Sequence, residues 1–239
     1  MQEIRVVPAA SFGTSCLASV LEAVAGIERP VIGLPTGNTP VGLFDALRAA
    51  AEDGDADVRT WRPFAIDEYG GPREHPCSNR AFFARYWDNV PGAAPVEQFD
   101  PEAADSAVDC RRMAEALGRA GGLDVALLGI GMNGHLAFNE PGSERDSLTR
   151  RVELHEASRV SGSQCWGDEV PAWGLTLGLT ELLGARTVVV LANGAAKAPI
   201  VAAAIDGPET SQCPASLVRT ARRAIWVLDE AAASLLQPR

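Results

Sequence analysis

Apolar residues in this chain gather in short runs that alternate with stretches of helical period. The runs fall near 3–7, 30–34, 63–67, 123–130, 186–192 and 224–228, and each reads as a strand. Leu123-Asp124-Val125-Ala126-Leu127-Leu128-Gly129-Ile130 is nearly continuous, as expected where helices cover both faces of a parallel sheet. Helical patterns lie between the runs, near 14–26, 41–52, 79–88, 103–119, 174–183 and 195–205. In the second of these Leu43, Leu47 and Ala50 share one face. Strand and helix alternate, which predicts an α/β fold: a doubly wound, mostly parallel sheet with right-handed crossovers and helices on both faces. No Ser/Gly-rich linker, low-complexity tract or internal repeat divides the 239 residues, so one domain spanning 1–239 is expected.

In such a sheet, chemistry belongs beyond the carboxyl ends of the strands, and three of these ends are polar. After the strand ending at Ile130 comes Gly131-Met132-Asn133-Gly134-His135-Leu136-Ala137-Phe138-Asn139-Glu140-Pro141-Gly142, which loads a histidine, a carboxylate and two amides onto a glycine-rich turn. Alone, this pattern fits a tight loop in which His135 bonds a backbone carbonyl equally well. After the strand 30–34 comes Pro35-Thr36-Gly37-Asn38-Thr39-Pro40, small and hydroxylated residues leading into a helix, where free N–H groups and the helix dipole favour an anion. It is neither a Walker loop nor a G-x-G-x-x-G dinucleotide loop. Thr39 as helix cap, with Pro40 at the first helical position, is compatible with that role. The third end, Phe64-Ala65-Ile66-Asp67-Glu68-Tyr69-Gly70-Gly71, closes a strand with adjacent carboxylates, of which one enters the cleft while the other turns away.

Composition narrows the partners. A formal net charge of −10 argues against nucleic acid, whose recognition needs a basic surface, so any phosphate must be met by a local positive patch. The N-terminus lacks a signal-peptide pattern and no apolar run approaches ~18 residues, which predicts a cytoplasmic protein with no membrane partner. Cys16, Cys77, Cys110, Cys165 and Cys213 are odd in number, scattered and free of C-x-x-C spacing; they read as reduced thiols, with neither a zinc site nor a disulfide framework. The five tryptophans read as packing residues, with Trp166 and Trp173 near a candidate site segment.

Taken together, Gly33-Leu34-Pro35-Thr36-Gly37-Asn38-Thr39-Pro40, Asp67-Glu68-Tyr69, Gly134-His135-Leu136-Ala137-Phe138-Asn139-Glu140-Pro141-Gly142, Leu175-Thr176-Leu177-Gly178 and Asn193-Gly194-Ala195-Ala196-Lys197-Ala198 resemble the glucosamine-6-phosphate deaminase family of amino-sugar phosphate isomerases. Gly121-Gly122-Leu123-Asp124, the segment from Trp173 to Leu179, and Pro214-Ala215-Ser216 are closer to its galactosamine-6-phosphate branch, so gluco- and galacto- substrates both stay open. The resemblance implies a small-molecule amino-sugar phosphate as substrate, no cofactor and no metal, with a homo-oligomer possible.

Residue chemistry gives the same roles. His135 suits the proton transfer that opens a pyranose, because imidazole titrates near neutrality and works in both directions. Glu140 can orient the ring, and Asn133 can hold a sugar hydroxyl or the same ring. Asp67 is placed to take the C2 proton and return it at C1. Thr36, Gly37, Asn38 and Thr39 would cradle the phosphate, with Lys197 as the family's phosphate lysine; as a bland alternative, Lys197 is a solvated helix residue. Glu68 reads as a supporting acid, His75 as part of a mobile loop over the cleft and His155 as a surface residue.

Two departures stand out. Asn133 replaces an aspartate common in deaminases. Gln164 stands where the family carries a second phosphate-binding arginine, so either Arg159 or Arg151 compensates or the substrate differs at that end. The chain also stops earlier than the long deaminases, so their allosteric activation is not carried over. A rival reading is 6-phosphogluconolactonase, which shares the fold and the phosphate loop. That family follows Asp-Glu with arginine and continues its histidine turn toward Ser-Leu-Phe-Pro, where this chain has Tyr69 and Phe138-Asn139-Glu140-Pro141; Ser78-Asn79 is mildly lactonase-like. A non-catalytic sugar-phosphate sensor would need a DNA-binding segment, and none is visible.

Overall fold

A computed structural model describes residues 1–238. In chain order the elements are β1 (Gln2–Val7), α1 (Phe12–Val24), β2 (Val31–Leu34), α2 (Val41–Asp53), β3 (Arg62–Ala65), β4 (Asp67–Tyr69), α3 (Asn79–Tyr86), α4 (Ser106–Ala120) and β5 (Val125–Gly129). Then follow β6 (Arg150–Glu153), α5 (Glu156–Trp166), β7 (Trp173–Thr176), α6 (Leu179–Leu183), β8 (Thr187–Ala192), α7 (Ala198–Asp206) and β9 (Ala224–Asp229).

Six strands form one parallel sheet in the order β1-β9-β8-β5-β2-β3. Its four inner strands, β9, β8, β5 and β2, are buried on both faces, and alternate side chains feed two separate cores. Val125 and Leu127 of β5, Val189 and Leu191 of β8, and Ile225 and Val227 of β9 pack with Phe12, Val20, Phe44 and Trp87 of the α1–α3 side. Ala126, Leu128, Val188, Val190 and Trp226 point the other way, against Met113 and Leu117 of α4 and Val201 and Ile205 of α7. The doubly wound architecture read from the sequence is thus the one found, because period-two alternation of purely apolar residues gives both faces something to bury.

The second sheet was not legible. β4, β7 and β6 form a small antiparallel sheet in the order β4-β7-β6, and Asp67 pairs with Thr176. The apolar run 63–67 is therefore two strands: β3 ends at Ala65, and after Ile66 the chain changes sheets at Asp67. The helix expected at 174–183 is corrected to β7 followed by the short α6. Trp173-Gly174-Leu175-Thr176 lacks the length that separates strand from helix by pattern, and its partners lie far away in sequence. The helix α5 was also missed, since Glu156 to Trp166 carries little apolar periodicity.

The reading of all five cysteines as reduced thiols is also corrected. Cys77 and Cys165 form a disulfide across 88 residues of sequence, with their Cα atoms 5.8 Å apart. Cys16, Cys110 and Cys213 are free. Spacing gave no warning because the bridge joins the loop before α3 to the C-terminal end of α5, segments that meet only in the folded chain. Among the described residues no helix is long and apolar enough to cross a membrane.

Unfolded without reductant, the chain should titrate the three thiols of Cys16, Cys110 and Cys213, and five after reduction. Closing so long a loop stabilises by up to about 4–5 kcal/mol of chain entropy, so reduction should also lower the thermal midpoint. Five thiols titrating without reductant would remove the bridge.

Candidate active site

The sheet order places the site. From β2 the chain moves outward to β3, then returns to lay β5 on the opposite side of β2, so the segments leaving β2 and β5 diverge and open a crevice at their carboxyl ends. A cleft of about 360 Å³ lies there. Thr36, Gly37, Asn38 and Thr39 line it from the end of β2, His135 from the turn after β5, Asp67 from the start of β4, Gln164 from α5, and Lys197 from the segment after β8. Residues drawn from across the chain thus converge on one cavity.

The turn after β5 is built around His135. Gly131 N–H donates to the His135 carbonyl at 3.0 Å, and a Cβ at Gly131 would collide with the imidazole. Ala137 has φ +51°, a left-handed conformation costly for a residue with a side chain. The buried Asn139 holds the turn by donating to the carbonyls of Leu136 (3.0 Å) and Leu177 (2.9 Å), while its own carbonyl oxygen accepts from Arg150 at 2.9 Å. His135 Nδ1 lies 3.3 Å from Glu140 Oε2 and 2.9 Å from Ser158 Oγ. With Nδ1 engaged, Nε2 is the ring nitrogen left for a ligand.

Asn133 has a different place from the one expected. Its Nδ2 donates to Glu140 Oε2 at 2.9 Å and its Oδ1 accepts from the His135 backbone at 3.2 Å. It therefore steadies Glu140 and the turn, and is not among the residues lining the cleft. Glu140 Oε1 also accepts from the His155 backbone at 3.2 Å. Burial pushes the Glu140 carboxyl up, but the hydrogen bond and charge of His135, with the hydrogen bonds of Ser158 and Asn133, outweigh it and bring the group down to about 2. Glu140 is then a fixed negative partner for the imidazole.

The two carboxylates of β4 separate as expected. Glu68 turns away from the cleft and accepts from the backbone N–H groups of Tyr69 (2.8 Å), Asn79 (2.9 Å) and Arg80 (3.0 Å), which ties β4 to the first turn of α3. Asp67 faces the cleft and accepts from Asn79 Nδ2 at 2.6 Å. Burial and the neighbouring Glu68 charge raise its pKa to about 8, against the lowering effect of the Asn79 hydrogen bond.

Residues 7–226 match the family described as glucosamine-6-phosphate isomerases/6-phosphogluconolactonase. The chain belongs to this family. It is 39% identical over 246 residues to a glucosamine-6-phosphate deaminase of Streptomyces coelicolor, covering 98% of this chain and 93% of that one. With the same coverage, the deaminase of Beutenbergia cavernae is 36% identical over 244 residues. A solved monomeric glucosamine-6-phosphate deaminase superposes with a TM-score of 0.93 at 26% identity, over 98% of this chain and 99% of that chain. The 6-phosphogluconolactonase of Trypanosoma brucei superposes with a TM-score of 0.78 over 99% of both chains, but at 22% identity it speaks for the fold alone.

Within this glucosamine-6-phosphate isomerase/lactonase fold, the end of the cleft that holds Thr36–Thr39 and Lys197 keeps Lys197 in its lining but differs from the sequence reading at Thr39 and at Arg159 and Arg151. The helix α2 begins at Val41 with Pro40 before it, and no side chain caps it, so Thr39 is not the cap. Lys197 is half-buried and donates from Nζ to the Ile130 carbonyl at 2.6 Å; burial lowers its pKa, and it is the one cationic side chain among the described residues lining the cleft. Neither Arg159 nor Arg151 lines it, and Arg151 lies over the Trp173 ring at 4.1 Å. A further cation, Arg85 of α3, lies close by. It lines an adjoining cavity of about 440 Å³ that shares Thr36, Gly37, Asn38 and Gln164 with the cleft.

His75 is not free over the cleft. Its ring stacks on Trp166 with centroids 3.9 Å apart, two residues before the disulfide at Cys77. His155 is exposed, as expected, and caps α5 by accepting from Ala157 N–H. Sequence reading missed Ser158, which no motif marked, and gave Asn79 no role. Among the described residues no group of three or more His, Cys, Asp or Glu side chains is arranged to hold a metal ion.

The raised Asp67 pKa has a stability consequence of defined sign. The folded chain holds this proton more tightly than the unfolded chain, so the associated stability is complete below the ordinary carboxylate range and is lost as pH rises through about 8. Asp67→Asn, which stays neutral, should therefore gain thermal stability over the parent as pH rises from about 5 to about 9. A difference between the two melting temperatures that is flat across that range would show that Asp67 is not held in this environment.

Proposed function

We propose that the chain is an aldose–ketose isomerase and deaminase that converts a 2-amino-2-deoxyhexose 6-phosphate and water to a ketohexose 6-phosphate and ammonia. The observation that carries this reading is that one cleft presents the Asp67 carboxylate and the His135–Glu140 pair together with the loop from Thr36 to Thr39 and Lys197. His135, through Nε2, moves a proton between the anomeric hydroxyl and the ring oxygen, and Glu140 stabilises the imidazolium formed on the way. Once the open-chain aldehyde is exposed, Asp67 takes the C2 proton and delivers it to C1. The enolamine becomes a ketimine at C2, water adds there, and ammonia leaves. Names of relatives support this chemistry, and the Asp67-Glu68-Tyr69 and Phe138-Asn139-Glu140-Pro141 segments favour it over lactone hydrolysis.

The test is to incubate the purified protein with glucosamine 6-phosphate, galactosamine 6-phosphate and 6-phosphogluconolactone and to follow ammonia and ketose. Ammonia and ketose in equal amounts from an amino sugar support the proposal, and the better of the two amino sugars fixes the C4 stereochemistry. Lactone consumption without ammonia from either would overturn it.

Asp67→Asn keeps the shape of the side chain and removes the base. Turnover should fall by about two to four orders of magnitude with KM largely kept. Near-normal turnover would remove Asp67 from the proton transfer.

The phosphate end makes a separate prediction. Lys197 gives the cleft a single charge and Gln164 none, so Gln164→Arg should lower KM for the phosphorylated substrate. A charged hydrogen bond worth about 1.5–3 kcal/mol corresponds to roughly 10- to 150-fold. Unchanged KM in Gln164→Arg, with a strong rise in Arg85→Ala, would show that Arg85 already reaches the phosphate from the adjoining cavity.

A further inference from the structure

Asn79, the first residue of α3, joins the two ends of the cleft. It is 4% exposed, and every polar group of its amide is used. Nδ2 donates to Asp67 Oδ1 at 2.6 Å and to the Asp67 backbone carbonyl at 2.9 Å. Oδ1 accepts from the Thr36 hydroxyl at 2.9 Å. A backbone carbonyl can only accept, so the amide nitrogen must face Asp67 and the amide oxygen must face Thr36. The Asn79 backbone N–H is held independently by Glu68 Oε1 at 2.9 Å, which fixes where the side chain starts. One rigid amide therefore spans from the anion-binding loop to the carboxylate that faces the sugar.

We propose that Asn79 is a positioning residue that couples the Thr36–Thr39 loop to Asp67, so that occupation of the loop by phosphate is felt at the base. This rests on the assignment of Asp67 as the base. Thr36 donates its single hydroxyl proton to Asn79, so the neighbouring backbone N–H groups, and not this hydroxyl, are the donors left to meet the phosphate. An anion drawn to this helix N-terminus orders the loop and with it the hydroxyl that orients the amide. The amide in turn aims the Asp67 oxygen and favours its ionised form. That effect opposes burial and the Glu68 charge, which both push the group toward its inactive neutral form. In a cleft lined by one cation, part of the selection for a phosphorylated sugar then appears in turnover, beyond what appears in KM.

The experiment measures kcat and KM against pH for Asn79→Leu, Asn79→Asp and Thr36→Val in the intact chain, with glucosamine 6-phosphate and glucosamine as the pair of substrates. Asn79→Leu keeps size and the backbone bond to Glu68 but loses the amide. Its kcat should fall by about 10- to 150-fold at neutral pH, and the acid limb of kcat should move up by about one to two pH units, the equivalent of a lost charged hydrogen bond. Asn79→Asp, of nearly the same shape, keeps an acceptor for Thr36 but sets a second carboxylate beside Asp67, so its acid limb should move further still. If Asn79→Leu fails to fold, the Asn79→Asp profile carries the test. Thr36→Val should reduce the kcat ratio of phosphorylated to unphosphorylated sugar, and should do so less in a chain that already carries Asn79→Leu or Asn79→Asp.

An acid limb that stays in place in the folded Asn79 variants overturns the proposal, as does a Thr36→Val effect of equal size in both backgrounds. Failure of the underlying reading looks different: Asp67→Asn would then keep its turnover, whatever the Asn79 variants do.

Discussion

The constraint on which the site depends is the short pairing of β2 with β5. Only Ile32 with Val125 and Gly33 with Ala126 are in register, whereas β5 pairs with β8 over five positions. Beyond those two rungs the strands part, and the chain leaving β2 at Leu34 heads for α2 while the chain leaving β5 heads into the His135 turn. Both strands are buried on both faces up to that point, so polar side chains have nowhere to go until the strands end. The crevice is thus both the place where chemistry is permitted and the place where two loops meet.

Three carboxylates near that crevice show how local donors decide the state of an acid. Glu140 and Glu68 each receive several hydrogen bonds, but for Glu140 the hydrogen bond from His135, with that residue's charge and the bonds from Ser158 and Asn133, outweighs burial and takes it down to about 2. Glu68 receives backbone N–H groups alone and still ends up raised, to about 7, because burial dominates and the bonds from Asn79, Arg80 and Tyr69 only partly offset it. Asp67 has one side-chain donor and a charged neighbour, and is raised furthest. Groups whose surroundings push their pKa values apart in this way divide into a fixed charge and a group able to exchange a proton. Glu140 is the first kind. Asp67 is the second.

The sequence made the main sheet legible because its strands are apolar on consecutive positions, and Val125 to Leu128 could hardly be read otherwise. It also pointed to Asp67, His135 and Glu140, since acid and imidazole groups directly after buried strands have few structural uses. The antiparallel sheet was hidden: β4 is three residues long, and β7 shares its stretch with a helix. Its existence follows from contacts such as Asp67 with Thr176, separated by more than a hundred residues. The same distance hid the Cys77–Cys165 bridge, the Ser158 contact to His135 and the place of Asn79. Asn133 was misplaced for another reason. Its spacing on the turn is right, but an amide two residues from His135 turns back onto Glu140 as easily as outward to a sugar, and only the folded turn decides.

Under the proposed function a strongly acidic chain must receive a dianion, and the Thr36–Thr39 loop with Lys197 is the part of the cleft suited to it. Backbone N–H groups at the start of α2 carry partial positive charge that no titration removes, and Gly37 adopts φ +90° in the loop that presents them. Lys197 adds one charge, which burial weakens, because desolvation favours its neutral amine. Arg85 stands across a shared wall made of Thr36, Gly37, Asn38 and Gln164. The uncharged Gln164 therefore occupies the boundary between two cavities that each hold one cation. The helix that carries it, α5, is fastened by the bridge at the adjacent Cys165 to the loop that begins α3. Since α3 supplies both Arg85 and Asn79, the position of that wall, the reach of the second cation and the orientation of the amide on Asp67 are all tied to α5 through the same bridge.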